Sequence, residues 1–140
     1  MLYLDTSLLV SALTNEADTG TVQAWLTRQA PQELTISDWV VTEFSSALSI
    51  KLRMGQLIPE HRAASLAAFT RLAQETLLVL PVQRASFRKA ASLADQAALS
   101  LRAGDALHLA LCADNGATMC TLDQSLAKAA PLVGVEAVLL

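Results

Sequence analysis

Short apolar runs without strict alternation recur along this chain: LYL at residues 2–4, LTI at 34–36, LLVL at 77–80, ATMCT at 117–121 and VEAVL at 135–139. Between them apolar residues return at the 3.6-residue spacing of a helix face. The first run, Leu2 to Leu4, predicts a strand, and Ser7 to Leu13 a helix that Thr6 or Ser7 can cap. A second helix is expected from Thr19 to Gln29, with Val22, Trp25 and Leu26 on one side and Pro31 as its stop. After the strand Leu34 to Ile36, Ser37 or Asp38 caps a helix reaching about Met54, which Gly55 ends. Pro59 starts the next helix, carrying Leu66, Phe69 and Leu72. The strand Leu77 to Leu80 ends at Pro81. Helices follow from Ala85 to Leu99 and from Ala103 to Asp114, then a turn at Asn115-Gly116. Ala117 to Thr121 and Val135 to Leu139 read as strands flanking a short helix, Ser125 to Ala129. Unalternating strands separated by helices predict an α/β layer structure on a mostly parallel sheet. Ligands of such sheets bind beyond the carboxyl ends of the strands, where the strand order switches.

Four acids interrupt this pattern. Glu43 falls inside the apolar arc of its helix, flanked by Val40, Ala47 and Ile50, whereas Thr42, Ser45, Ser46, Ser49 and Arg53 share the polar side. A snorkelling edge residue is the plain alternative to an inward ligand. Asp105 lies in the first turn of a helix, GDALHLALCA, that is apolar nearly all round and therefore buried. The helix dipole alone favours an acid there. Asp5 and Asp123 each follow a strand and reach the carboxyl edge by position, although either also suits a cap or turn. Lone carboxylates are seldom buried unless they are paired or hold a cation. Four of them near element ends suggest one shared site, and oxygen donors without a His or Cys set favour Mg²⁺ or Mn²⁺. Thr6, Ser7 and Thr121 are placed to orient a carboxylate or a water, with capping the plainer role for Ser7. Asp38 fits an N-cap. His108, three residues after Asp105, reads as a core histidine or one that supports a ligand, and His61 as solvated.

Composition sharpens this reading. The length of 140 residues suits one domain, 53% of them hydrophobic and 16% charged. A mean hydropathy of +0.40 is high for a soluble monomer. No apolar stretch approaches the ~18 residues of a membrane span, so the excess suggests a partner or oligomer surface. No basic n-region precedes the first strand, and a cytoplasmic location is expected. Cys112 and Cys120 sit in apolar surroundings and read as core residues rather than a disulfide or a zinc site. The net charge of −3 counts against a nucleic-acid partner. With the four acids assigned to cations, the rest of the chain is near neutral, and that objection weakens.

The stretches LDTSLLVSAL, SDWVVTEFSSAL, LRAGDALHLALCA and TMCTLDQSLAKAA together resemble the PIN-domain ribonucleases, and more narrowly the VapC-type toxins of bacterial toxin–antitoxin pairs. The resemblance covers the whole chain in order and size, 1–140 as a single PIN domain. Each motif is weak alone; their order and neighbours carry the likeness. It implies a three-layer α/β/α sandwich on a mostly parallel sheet. It also implies an acidic site made of Asp5, Glu43, Asp105 and Asp123, holding one or two Mg²⁺ or Mn²⁺ ions that activate water to hydrolyse RNA. The polar position after the first Asp falls on Thr6, and the Thr of TxD on Thr121. A homodimer and a small antitoxin protein are the implied partners, with Leu8, Leu9, Val22, Trp25, Trp39 and Phe69 as contributors to such surfaces if not to the core. The motifs do not fix the RNA contacts; Lys51, Arg53, Arg84, Arg88, Lys89 and Arg102 are the candidates.

Two other phosphate chemistries fail on spacing. A haloacid-dehalogenase phosphotransferase needs DxD after the first strand, where this chain has Asp5-Thr6-Ser7. A receiver domain needs an early acid pair and a phosphoacceptor Asp after a middle strand. A PIN-like module that binds a cation or partner without turnover remains as the non-enzymatic alternative.

Overall fold

The computed structural model describes all of residues 1–140. Five strands, β1 (Leu2–Leu4), β2 (Leu34–Ser37), β3 (Leu78–Leu80), β4 (Thr118–Thr121) and β5 (Ala137–Leu139), form one sheet. Seven helices connect them: α1 (Thr6–Leu13), α2 (Thr19–Leu26), α3 (Asp38–Arg53), α4 (Pro59–Glu75), α5 (Arg84–Ala94), α6 (Ala103–Asn115) and α7 (Gln124–Ala129). The strand order is β3-β2-β1-β4-β5 and every pairing is parallel.

Parallel neighbours need crossover connections, and these are almost always right-handed. The first two crossovers step from β1 through β2 to β3 in one direction. The third, through α5 and α6, jumps back past β1 to β4 and reverses the direction of travel. Right-handedness then puts α1–α4 on one face and α5–α7 on the other, giving the expected α/β/α sandwich. Helix packing divides in the same way: α1 against α2 and α3, α3 against α4, and α5 against α6. With both faces covered, the inner strands carry no solvent side. Tyr3, Leu4 and all of β2 are buried, which is why their sequences do not alternate.

Several boundaries shift by one residue from the sequence expectation, and four differences bear on the local structure. Helix α1 begins at Thr6, and Asp5 rather than Thr6 or Ser7 caps it, its Oδ1 accepting from Leu8 N at 3.1 Å. Helix α2 ends at Leu26, three residues early, where Thr27 and Gln29 turn their side chains back onto the carbonyls of Ala24 and Trp25. The run expected as one helix from Ala85 to Leu99 stops at Ala94. It resumes as a short 3₁₀ turn, Ala97–Leu99, and Ser100 takes φ 51°. The chain must reverse there for α6 to pack against α5, and an alanine-rich sequence carries no breaker to announce it. The last strand begins at Ala137, not Val135. Leu8, Leu9, Val22 and Phe69 belong to the contiguous core, while Trp25 and Trp39 are half-buried beside it. No helix is long and apolar enough to cross a membrane.

Cys112 and Cys120 are free and fully buried. Burial, and then the nearby Asp5 charge, pushes the Cys120 thiol up to about 12. Burial and then the neighbouring Cys120 push Cys112 upward as well. Since the thiolate is the reactive form, neither should react with a disulfide reagent in the native protein at pH 8, and both should react in denaturant. A native thiol that labels within minutes would contradict this burial.

Candidate active site

The strand order reverses between β1 and β4, so a crevice opens at their carboxyl ends. Asp5 leaves β1 there and Asp123 caps α7 just after β4. The two strand ends are tied together. Asp5 N donates to Cys120 O at 3.1 Å. Thr121 Oγ1 donates to Asp5 Oδ2 at 2.6 Å and accepts from Asp123 N at 2.9 Å. Ser7 Oγ donates to the same carboxylate, at 2.7 Å to Oδ1 and 3.0 Å to Oδ2, and accepts from Leu122 N at 3.1 Å. Asp5 is only 4% exposed. Burial lifts its carboxyl above the ordinary value; the bonds from Thr121 and Ser7, the His108 charge and the Leu8 amide pull it back without cancelling the rise.

Glu43 comes from the second turn of α3. Its Oε2 accepts from Thr6 Oγ1 at 2.5 Å and pairs with His108 Nε2 at 2.6 Å. Burial pushes this carboxyl up, but His108, by hydrogen bond and by charge, and Thr6 outweigh it, and the net shift is downward. The Trp39 indole also favours the carboxylate, although its Nε1 makes no hydrogen bond of acceptable geometry. Asp105, in the first turn of α6, is moved the other way. Burial raises it first, repulsion from Asp123 second, with Glu43 adding to the rise against His108 and the Arg102 backbone. The pairing of one lowered and one raised carboxyl reflects who sits beside each: Glu43 has donors, Asp105 has other acids.

Asp5, Thr6, Ser7, Glu43, Asp105, His108 and Asp123 line one cleft of about 290 Å³, walled by Ser46, Ala47 and Ile50. All four acids singled out in the sequence therefore reach the same opening, from two strand ends and two helix starts. Residues 2–132 match the family model of the PIN domain. The chain belongs to the PIN-domain family.

Solved structures agree with this PIN domain in fold. VapC20 from Mycobacterium tuberculosis, described as a toxin cleaving the sarcin–ricin loop, gives a TM-score of 0.72 at 19% identity, over 92% of this chain and 95% of that one. FitAcB from Neisseria gonorrhoeae gives 0.69 at 20% identity, over 98% and 96%. VapBC2 from Rickettsia felis, bound to a DNA fragment from their promoter, gives 0.66 at 17% identity, over 99% and 98%. No match was found among curated proteins.

The donor set of this PIN domain suits a hard divalent cation: four carboxylates on one cleft, with Asp105 raised by burial and then by its neighbours' charge. The acids are not drawn together into a closed set of three ligands, since Glu43 Oε2 is turned to Thr6 and His108 and the Asp5 oxygens to Ser7, Thr121 and Leu8 N. None of the six basic candidates lines the cleft. Lys51 pairs with Glu16 and Arg53 donates to Ser49. Lys89 pairs with Asp114, nine residues beyond Asp105 on α6 and so about 14 Å along the helix axis. Three residues of the site had little voice in the sequence. His108 stood at helical spacing from Asp105, yet nothing tied it to Glu43. Tyr3 read as one more apolar strand residue. Gly104 matters by what it lacks: a Cβ there would lie 2.8 Å from Glu43 Oε1 and 3.4 Å from Trp39 Nε1.

Replacing Thr121 by Val keeps its shape and removes the hydroxyl that serves Asp5. A buried carboxylate deprived of a donor costs about 1–3 kcal/mol, so Thr121→Val should lose that much in urea unfolding at neutral pH. Thr121→Ser should lose less. A Val variant within ~0.5 kcal/mol of the parent, the range of an ordinary surface change, would contradict the bond's role.

Proposed function

We propose that this protein is a metal-dependent endoribonuclease acting as the toxin of a toxin–antitoxin pair. The observation that carries the reading is the convergence of Asp5, Glu43, Asp105 and Asp123 on one cleft at the strand-order switch, with Asp105 raised by burial and then by Asp123 and Glu43. Asp5, Glu43, Asp105 and Asp123 are the residues that would hold one or two Mg²⁺ or Mn²⁺ ions. A divalent cation there makes water a better nucleophile at neutral pH and offsets charge on the scissile phosphate. Thr6 and His108 hold Glu43, while Thr121 and Ser7 hold Asp5, so the chain spends its hydroxyls and imidazole on orienting carboxylates. No serine elbow or other activated nucleophile stands in the cleft, which fits direct hydrolysis of an RNA phosphodiester to a 5′-phosphate and a 3′-hydroxyl.

The toxin assignment draws on the described roles of similar folds: a sarcin–ricin loop cleaving toxin, and a toxin–antitoxin complex from Klebsiella pneumoniae matched at TM-score 0.62 and 16% identity over 91% of this chain and 90% of that one. A small antitoxin protein and a second copy of the chain are the proposed partners. The exposed Ile50 on α3 and Met54 and Ile58 just after it supply apolar surface beside the cleft wall at Ile50.

Purified protein free of any antitoxin should cleave mixed RNA with Mg²⁺ or Mn²⁺ and stop with EDTA. Asp105→Asn should cleave at least about 100-fold more slowly, a loss of ~2.7 kcal/mol in barrier terms. Equal cleavage by the variant, or none by the parent protein, would sink the nuclease reading.

A further inference from the structure

We infer that His108 is a positioning residue for Glu43, aimed by Tyr3 and Ser37, and that this relay sets how well the acidic site takes up a divalent cation. The inference rests on the nuclease reading above and deepens it. His108 is 3% exposed and both its ring nitrogens face side chains: Nε2 stands 2.6 Å from Glu43 Oε2 and Nδ1 2.9 Å from Tyr3 Oη. The Tyr3 ring meets the imidazole edge-on, with centroids 5.6 Å apart and planes at 62°. Tyr3 Oη lies 2.7 Å from Ser37 Oγ. The chain of contacts therefore runs from the buried ends of β1 and β2, through α6, to the carboxylate on α3.

The donor inventory gives this chain a direction. An ionised Glu43 only accepts, so Nε2 carries a proton toward it. In the neutral ring Nδ1 then accepts from Tyr3 Oη–H, Tyr3 accepts from Ser37 Oγ–H, and every proton points toward Glu43. In the charged ring that draws Glu43 and Asp5 down, Nδ1 donates to Tyr3 instead, and Nε2–H holds Glu43 in both. A partner on the far nitrogen is the usual means of fixing an imidazole's tautomer and plane. Thr6 Oγ1 donates to the same Oε2, so one oxygen of Glu43 is held by two donors. Oε1 accepts no hydrogen bond and lies against Gly104, in the space its missing Cβ leaves. Glutamate has three rotatable side-chain bonds; the relay removes that freedom and fixes where the carboxylate sits in the cleft wall. Burial alone asks for a partner on each ring nitrogen; here one of those partners is a carboxylate lining the cleft, so satisfying the imidazole also fixes Glu43.

The test measures Mn²⁺ binding by the loss of the free-ion EPR signal, alongside RNA cleavage. His108→Leu should weaken Mn²⁺ binding about 10–100-fold, the usual cost of losing a ligand's supporting partner. It should lower kcat with KM for RNA unchanged. His108→Gln, which keeps an N–H for Glu43, should recover most of both. Tyr3→Phe, which deletes one hydroxyl, should weaken binding in the same direction by a smaller factor, and should add nothing in a His108→Leu background. Nitrogen NMR should find Nε2 protonated in the parent and in its Ser37→Ala variant, with Nδ1 shifted in Tyr3→Phe. If the parent binds Mn²⁺ and cleaves while His108→Gln and Tyr3→Phe fold and bind as tightly as it does and His108→Leu does no worse, the relay is overturned and the nuclease reading stands. Additive effects of Tyr3→Phe and His108→Leu overturn it too. A parent that neither binds Mn²⁺ nor cleaves overturns both.

Discussion

The carboxylate of Asp5 sits almost without solvent at the junction of β1 and β4, and the rest of the site is organised around keeping it there. Desolvating an acid is costly unless donors surround it. Here the donors come from both sides of the crevice: the Leu8 amide and Ser7 hydroxyl from the first turn of α1, the Thr121 hydroxyl from the last residue of β4. Thr121 also receives the Asp123 amide, and Ser7 the Leu122 amide. The hydrogen bonds that make a buried Asp5 tolerable thus extend the β1–β4 backbone ladder, which ends with Asp5 N on Cys120 O, past the last paired residues.

The other acids differ in how much support the chain gives them. Glu43 is held below its ordinary value by His108 and Thr6 despite burial, and enters the cleft as a fixed negative charge. Asp105 is raised by burial and by Asp123, and Asp5 by burial. In the protein alone this is unfavourable electrostatics: like charges converge on one opening with no Arg or Lys lining it. Such an arrangement is expected where function, not stability, selects the residues, since a divalent cation would reverse the sign of the local interactions. The balance of the chain fits that view, because the surplus of acids over bases is smaller than the four that meet in the cleft.

Much of this was legible because it follows from periodicity and position. Glu43 is turned toward the cleft because 100° per residue places it beside buried Val40 and half-buried Ala47; Ile50, the third residue of that arc, is exposed and forms the cleft wall. Asp5 and Asp123 reach the carboxyl edge because each follows a strand. Strand order was not legible, since no residue encodes which neighbour a parallel strand chooses; yet the order is what brings Asp5 beside Asp123. The relay through Tyr3 and His108 was hidden for a related reason. Its members lie on β1, β2, α6 and α3, and each contact joins residues 34 to 105 apart in the chain. A tyrosine inside LYL carries the hydrophobic signal of a strand and says nothing of where its hydroxyl points. The break after Ala94 escaped notice because no Gly or Pro marks it and alanines resume at Ala97. The basic residues were unreadable because any surface Lys or Arg solvates a face, and Lys51 and Lys89 are committed to Glu16 and Asp114.

The central claim is that four carboxylates at the strand-order switch constitute one cation site. Anomalous diffraction from crystals soaked in millimolar Mn²⁺ tests it without reference to substrate or partner. The account predicts a manganese peak in the cleft within about 2.5 Å of oxygens from Asp5 and at least one of Glu43, Asp105 and Asp123, allowing for the slightly longer bonds of this ion than of Mg²⁺. A peak elsewhere on the surface, with the cleft holding only water at the same Mn²⁺ concentration, would contradict it.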